Sequence, residues 1–151
     1  MVSPQGAGTP GPGDFKVAAP IEVRFRDLDG LGHVNNAVFL TYFEMARGAY
    51  WKALGLRDWS SLGTYLVARA EVDFRSPVGL ADRPVCHVRV GSIGTRSFTM
   101  DYLLVETGSG RVIAEGRTVQ VMVDDTLRRS RPLSDEMKEA VRRFEGRPLS
   151  G

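Results

Sequence analysis

The alternation of apolar and polar positions predicts one long helix among five strands. Ile21, Val23 and Phe25 alternate with charged residues, which is the period of a strand with one buried face. In residues 36–54 the polar positions form one narrow stripe at helical spacing, which predicts a helix covered on most sides. Further strand patterns, separated by polar turns, cover residues 64–76, 84–93, 97–106 and 111–123.

The ends of these elements carry their own signals. Asn35 or Asn36 can cap the start of the long helix, and Gly55 stands where a left-handed residue stops it. The last strand changes the phase of its alternation near Gly116, which predicts a bulge there. Ser134 opens a short terminal helix that extends to residue 144.

Composition divides the chain into three segments. Residues 1–19 are dominated by Gly, Pro and small side chains, which bury too little apolar surface to offset chain entropy, so we expect a disordered leader. Residues 20–145 form the expected single domain, and residues 146–151 are expected to be a flexible tail.

The element order limits the architecture. Four consecutive strands joined by short turns imply an antiparallel sheet, and a five-stranded sheet covers most of a helix only if it curls around it. We therefore predict an α+β fold with a long central helix wrapped by a curved antiparallel sheet. Since such a sheet leaves an edge strand unpaired, we expect a homodimer or homotetramer whose sheets join edge to edge or whose helices meet.

Charge and composition limit the classes of binding partner that we expect. The chain of 151 residues is 42% hydrophobic and has a formal charge of +2, which is too balanced for a general nucleic-acid or membrane-surface binder. No apolar run has the length of about 20 residues that a membrane helix needs. The single cysteine, Cys86, excludes an internal disulfide and favours a reduced, cytoplasmic setting.

The run from Val23 to Arg47 reads VRFRDLDGLGHVNNAVFLTYFEMAR and carries the most specific motif of the sequence. It resembles the hotdog-fold acyl-CoA thioesterases of the 4-hydroxybenzoyl-CoA thioesterase type. It also resembles acyl-ACP thioesterases that carry an Asp-x-Asp-x-x-Gly-His-Val-Asn-Asn loop. The resemblance extends over residues 20–125 and implies a hotdog fold and hydrolysis of an acyl-CoA or acyl-ACP thioester. The turn that follows the second strand, Pro77 to Asp82, is also similar, with Ala81 replacing a Gly.

The resemblance also implies the site. It assigns catalysis to Asp29 and the polarising of the thioester carbonyl to backbone amides between His33 and Asn36. Elementary chemistry agrees, because thioester hydrolysis needs a nucleophile or a base together with donors for the oxyanion. The free amides of a helix N-terminus are such donors. His33, Asn35 and Asn36 are therefore candidate site residues, and covalent attack and water activation by Asp29 both stay open.

Other candidates have structural alternatives of comparable weight. Glu44, on the polar stripe of the helix, could assist catalysis or pair with Arg47. Asp27 is interpreted as a structural ligand of loop amides. Three arginines could grip coenzyme A phosphates or be solvated surface charges: Arg69, Arg75 and Arg96.

Several enzyme classes lack their motifs. The sequence has no Gly-x-Ser-x-Gly elbow, no Gly-x-Gly-x-x-Gly run and no phosphate loop, and its two histidines have no metal-ligand spacing. We therefore expect neither a cofactor nor a metal. Two alternatives to a thioesterase stay open: a hotdog 3-hydroxyacyl thioester dehydratase that pairs His33 with Glu44, and a non-catalytic module that binds acyl thioesters.

Overall fold

The computed structural model describes residues 10–56 and 63–150. Five strands form one antiparallel sheet in the order β1-β3-β4-β5-β2. Within these ranges two α-helices accompany the sheet, α1 between the first two strands and α2 after the last. The elements are β1 Val17–Pro20, α1 Val38–Ala53, β2 Thr64–Phe74, β3 Pro84–Ile93, β4 Ser97–Glu106, β5 Val112–Val123 and α2 Asp135–Glu145. The predicted α+β architecture, a curved sheet around a long helix, is confirmed.

The helix α1 lies against the concave face of the sheet. Its buried side chains follow one helical face: Phe39, Tyr42, Phe43, Ala46, Arg47, Tyr50 and Trp51. The Phe43 ring stacks on Tyr102 of β4 with a centroid distance of 4.3 Å. Gly116 of β5 permits this approach, because a Cβ at that position would clash with the Phe43 ring. The opposite face of the helix, with Leu40, Glu44 and Met45, is exposed, so the predicted cover on most sides is absent from the single chain.

The first strand was predicted wrongly. The ladder with β3 involves Val17–Pro20 and not the alternating residues from Ile21 onward. Ile21 and Val23 are nevertheless buried in the core, so their alternation reports burial rather than strand pairing. Three residues of β1 lie inside the stretch expected to be a leader, and residues 1–9 of that stretch lie outside the described residues.

Two smaller expectations are corrected. The start of α1 has no side-chain cap on its N-cap residue, Ala37; Asn35 instead accepts the Ala37 N–H at 2.9 Å, just before the helix. The bulge of β5 lies at Ile113 and not near Gly116, since the register shifts between Leu104 and Val105 of β4. The predicted stop at Gly55 is confirmed by its φ of 91°.

The C-terminal segment docks on the sheet. Ser134 caps α2 by accepting the Met137 N–H at 3.1 Å, as its sequence predicts. Buried Glu145 accepts a hydrogen bond of 2.7 Å from Tyr50 of α1. Beyond the helix, the Ile93 N–H donates to the Ser150 carbonyl at 2.9 Å, so the expected flexible tail is fixed along the edge of β3 up to that residue.

Candidate active site

Asp29 lies in a tight loop between β1 and α1. Leu28 and Val34 form an isolated antiparallel bridge that closes this loop. Within it, the Asp29 carboxylate oxygen Oδ1 accepts the backbone N–H of Leu31 at 2.9 Å and that of His33 at 3.2 Å. These hydrogen bonds lower the pKa of the Asp29 carboxyl below its usual value. The exposed carboxylate is therefore ionised at neutral pH and fixed in direction.

Asp27, two residues earlier, anchors the loop to the core. Its buried carboxylate accepts a hydrogen bond of 2.8 Å from the Tyr42 hydroxyl of α1 and forms an ion pair of 2.9 Å with the Arg24 side chain. Burial by itself raises the pKa of Asp27, but the hydrogen bonds from Arg24 and Tyr42 outweigh it and keep that pKa low. The Asp27 carbonyl also accepts the Asn35 N–H at 2.8 Å. The structural interpretation of Asp27 agrees with these contacts.

The entry to α1 presents a free donor. The amides of Ala37, Val38 and Phe39 all have acceptors within the turn that starts the helix. Across the part of the chain that the structure describes, the N–H of Asn36 has none. Since the N-terminus of a helix carries a partial positive charge, this N–H is suited to hold a developing oxyanion.

One cleft brings these groups together. It measures ≈ 400 Å³ and we call it the Asp29 cleft. The loop and the helix contribute Asp29, His33, Val34, Asn36 and Phe39; the end of β2 and the turn after it contribute Phe74, Arg75, Ser76 and Pro77. The rings of Phe39 and Phe74 meet edge to face at 5.1 Å, giving the cleft an apolar wall beside its carboxylate.

Of this second wall the sequence singled out only Arg75, although the Pro77 to Asp82 turn was a signal for the rest. Arg111, just before the neighbouring strand β5, holds the turn. Its guanidinium donates to the Ser76 hydroxyl at 2.6 Å and to the Pro77 carbonyl at 2.8 Å, and it lies 3.4 Å from Asp82. The Val34 N–H donates to the Val78 carbonyl at 2.8 Å, which joins the turn to the Asp29 loop.

The remaining predicted residues are distributed differently. Asn35 is exposed at the helix entry, where it bonds Ala37. Glu44 lies outside the Asp29 cleft and within the described residues makes no ion pair with Arg47. The structure of one chain therefore joins Asp29, His33 and Asn36 but not Glu44.

Of the three candidate phosphate-binding arginines, Arg75 alone lines the Asp29 cleft. Its guanidinium lies 2.9 Å from Glu115, so its charge is already compensated. Arg69 pairs with Glu71 at 2.6 Å in the middle of β2. Arg96, in the β3–β4 turn, donates a hydrogen bond of 2.8 Å to the Ser130 carbonyl.

A sheet curved around one helix, with a carboxylate loop at the N-terminus of that helix, is the arrangement that the resemblance to hotdog-fold thioesterases implies. A family profile supports this directly: residues 23–141 match the thioesterase-like superfamily. The chain belongs to this superfamily, and the predicted resemblance is confirmed.

Individual proteins show the same relationship. A thioesterase from Thermus thermophilus, crystallised with coenzyme A and Zn, superposes with a TM-score of 0.81 and is 42% identical. That match covers 90% of this chain and 98% of the Thermus chain. The long-chain acyl-CoA thioesterase FadM of Escherichia coli is 25% identical over 80% of this chain and 93% of its own. YsmA of Bacillus subtilis, whose function is uncharacterised, is 29% identical over 84% of this chain and 86% of its own.

Neither described helix is long and apolar enough to cross a membrane.

Proposed function

We propose that this protein hydrolyses acyl-CoA or acyl-ACP thioesters in the Asp29 cleft. The observation that carries the proposal is that one crevice holds an ionised carboxylate, the unpaired Asn36 N–H and an apolar wall of Phe39 and Phe74. The thioester carbonyl oxygen accepts the Asn36 N–H, and the Asp29 carboxylate attacks the carbonyl carbon or activates a water molecule. The thiolate leaves readily, so a strong general acid is not required.

Neighbouring groups have supporting roles in this proposal. His33 lines the cleft beside Asp29, and Asn35 fixes the helix entry by accepting the Ala37 N–H. Glu44, which lies outside this cleft, is the candidate helper farthest from the reacting atoms. Arg75, at the mouth of the cleft, is the favoured contact for a coenzyme A phosphate. Arg69 and Arg96 are weaker candidates, since their contacts lie away from the cleft. A cytoplasmic location stays a prediction that rests on the single cysteine.

The proposed unit is a homodimer. Strand β2 pairs with β5 along one side only, and along most of its length its side chains are exposed. Asp29, His33 and Asn36 are also exposed, whereas charge stabilisation in catalysis is strongest where water is excluded. A second copy along this edge would pair the strand and cover the site.

The test is a thiol-release screen over short, long, branched and aromatic acyl-CoAs. We expect catalytic turnover of at least one of these classes, with free coenzyme A and the carboxylic acid as products. Binding without thiol release would favour the non-catalytic module, and loss of water from a 3-hydroxyacyl thioester would favour the dehydratase. Either result would replace the proposal.

A further inference from the structure

A second cleft lies apart from the Asp29 cleft. It measures ≈ 310 Å³, which is the size of a small-molecule site, and we call it the Glu44 cleft. Side chains of α1 meet the start of β2 there, and the lining consists of Glu44, Arg47, Gly63, Thr64 and Tyr65. No described residue lines both clefts. The Glu44 cleft is therefore a separate place at which a ligand can bind.

Arg47 is a buried cation in the lining of this cleft. The residue is 8% exposed, although a guanidinium stays charged at every pH at which proteins fold. Its Nη1 donates to the Tyr102 hydroxyl at 3.0 Å, and it also interacts with the Tyr65 hydroxyl. Among the described residues it forms no ion pair with a carboxylate. A buried cation among neutral groups is costly, and a bound anion offsets that cost.

Part of the Arg47 guanidinium is open to the cleft. A guanidinium carries more N–H donors than two hydroxyls can accept. Within the described ranges, the one fully buried side-chain nitrogen that has no hydrogen-bond partner belongs to Arg147. The donors of Arg47 that lack a protein acceptor are therefore accessible, and they are accessible through the cleft that Arg47 lines.

The groups around the guanidinium are fixed by their own contacts. The Tyr102 hydroxyl lies 2.7 Å from the Thr118 hydroxyl in the core. On the other side, Trp51 Nε1 donates to the Tyr65 hydroxyl at 3.2 Å, and the Tyr65 ring packs edge to face against Phe98 at 5.6 Å. The Tyr65 O–H has no acceptor among the described residues, so its proton is left for a ligand. Such a preorganised site binds without paying for the ordering of its side chains.

Glu44 limits the charge of a ligand that fits. It lies one helical turn before Arg47, a spacing at which opposite charges often pair, yet the two form no ion pair. Its exposed carboxylate repels a dianion such as a phosphate monoester. A monocarboxylate carries a single charge, and its planar pair of oxygens matches the fork of a guanidinium. The Tyr65 ring adds an apolar surface for the rest of such a molecule.

We propose that the Glu44 cleft is a binding site for a monocarboxylate with a small apolar tail. The ligand's carboxylate accepts hydrogen bonds from the Arg47 guanidinium and from the Tyr65 hydroxyl, and its tail lies along the Tyr65 ring. The site is separate from the Asp29 cleft, so its occupancy does not depend on the proposed hydrolysis. One ligand of this class is the acid that such a hydrolysis releases.

Isothermal titration with sodium hexanoate at constant ionic strength tests the site. We expect saturable binding of one hexanoate to each wild-type chain, and no binding of inorganic phosphate at the same concentration. Arg47→Met keeps an apolar stem but removes the charge, and is expected to weaken hexanoate binding at least about 10-fold. Arg75→Met is the matched control, because that arginine lines the Asp29 cleft instead, and it should bind hexanoate like the wild type.

Substitutions at Glu44 test the same cleft without touching the core, since the side chain is exposed. Glu44→Gln removes the repelling charge and should tighten hexanoate binding about 2-fold to 5-fold. Glu44→Trp fills the cleft and should abolish binding. Circular dichroism checks that each variant is folded. The two variants decide the question even where Arg47→Met fails to fold.

The opposite results overturn the proposal. They are a wild-type protein that shows no saturable hexanoate binding, equal binding by the wild type and Arg47→Met, and unchanged binding by Glu44→Trp. Loss of binding in Arg75→Met but not in Arg47→Met places the acid in the Asp29 cleft. The titration does not require hydrolysis, so a protein that binds hexanoate but releases no thiol keeps this site and loses the proposed function. The reverse result keeps the function and removes the site.

Discussion

Asp29 owes its orientation to the loop in which it lies. An Asp two residues before Leu31 and four before His33 accepts both of their amides, so the side chain is fixed by local hydrogen bonds. The short polar loop predicted this position from sequence. The buried contacts of Asp27 with Arg24 and Tyr42 agree with its structural interpretation, which stays a prediction.

The lowered pKa of Asp29 sets an expectation for the pH dependence. A carboxylate that acts as base or nucleophile must be ionised, and amide hydrogen bonds depress the pKa of this group. The value of kcat/KM should therefore stay constant as pH falls from neutral and decline only below about 4, the ordinary pKa of an aspartate. Thiol release measured in buffers of constant ionic strength gives this profile. An acid limb centred near neutral pH would assign the essential base to another group.

At the scale of elements, the strand bounds were predictable from the sequence, but the contacts that hold the turn after β2 were not. The bounds of β2, β3, β4 and β5 lie within two residues of their predicted positions, since alternation and Gly-bearing turns mark both ends. Arg111 and Ser76 are 35 positions apart, and no periodicity relates them. The wall of the Asp29 cleft depends on such long-range contacts, so only folding reveals it.

Arg111→Met tests whether this brace supports catalysis. Loss of the guanidinium frees Ser76 and Pro77, which line the cleft, and even a small displacement of a positioned group is costly. We expect kcat/KM to fall on the order of 10-fold, while the melting temperature changes little. Arg83→Met, at an exposed position nearby, is the control and should retain wild-type kinetics. Equal kinetics of the two variants would remove Arg111 from the site.

Packing of α1 on the sheet depends on Gly116. A methyl group there would overlap the Phe43 ring and lie 3.0 Å from the Glu71 carbonyl oxygen. Gly116→Ala is therefore expected to lower the free energy of unfolding by about 1–3 kcal/mol, as overpacking of a core does. Gly11→Ala meets no atom within 4 Å and serves as the control in urea unfolding. A neutral Gly116→Ala would mean that α1 moves away from β5 without cost.

At the scale of the whole molecule, the sequence predicted a homodimer or homotetramer but not which of its candidate site residues share a cleft. From the sequence, Asp29 and Glu44 were both candidate catalytic residues of one site. Within a chain they line different clefts, Asp29 in the loop before α1 and Glu44 two turns into the helix. The strand order leaves β2 at an edge of the sheet, and no local pattern encodes that order.

The charges on β2 allow the pairing to be broken and restored. In the proposed homodimer, antiparallel pairing of β2 centred on Ala70 sets Arg69 opposite Glu71 of the second copy. Arg69→Glu then sets like charges opposite each other, which should raise the dimer dissociation constant at least about 10-fold and lower activity with it. The double exchange Arg69→Glu, Glu71→Arg restores opposite charges and should recover both. Sedimentation velocity over a concentration series measures the dissociation. Unchanged dimerisation of the single variant would contradict pairing in this register.

The central claim is that the Asp29 carboxylate performs the hydrolysis, and Asp29→Asn tests it most directly. The substitution keeps the shape of an exposed side chain, so folding and binding of an acyl-CoA should stay close to wild type. We predict that kcat for thiol release falls by at least about 10²-fold to 10⁴-fold. Wild-type turnover by the Asp29→Asn protein, measured on the substrate that the screen identifies, would contradict the account.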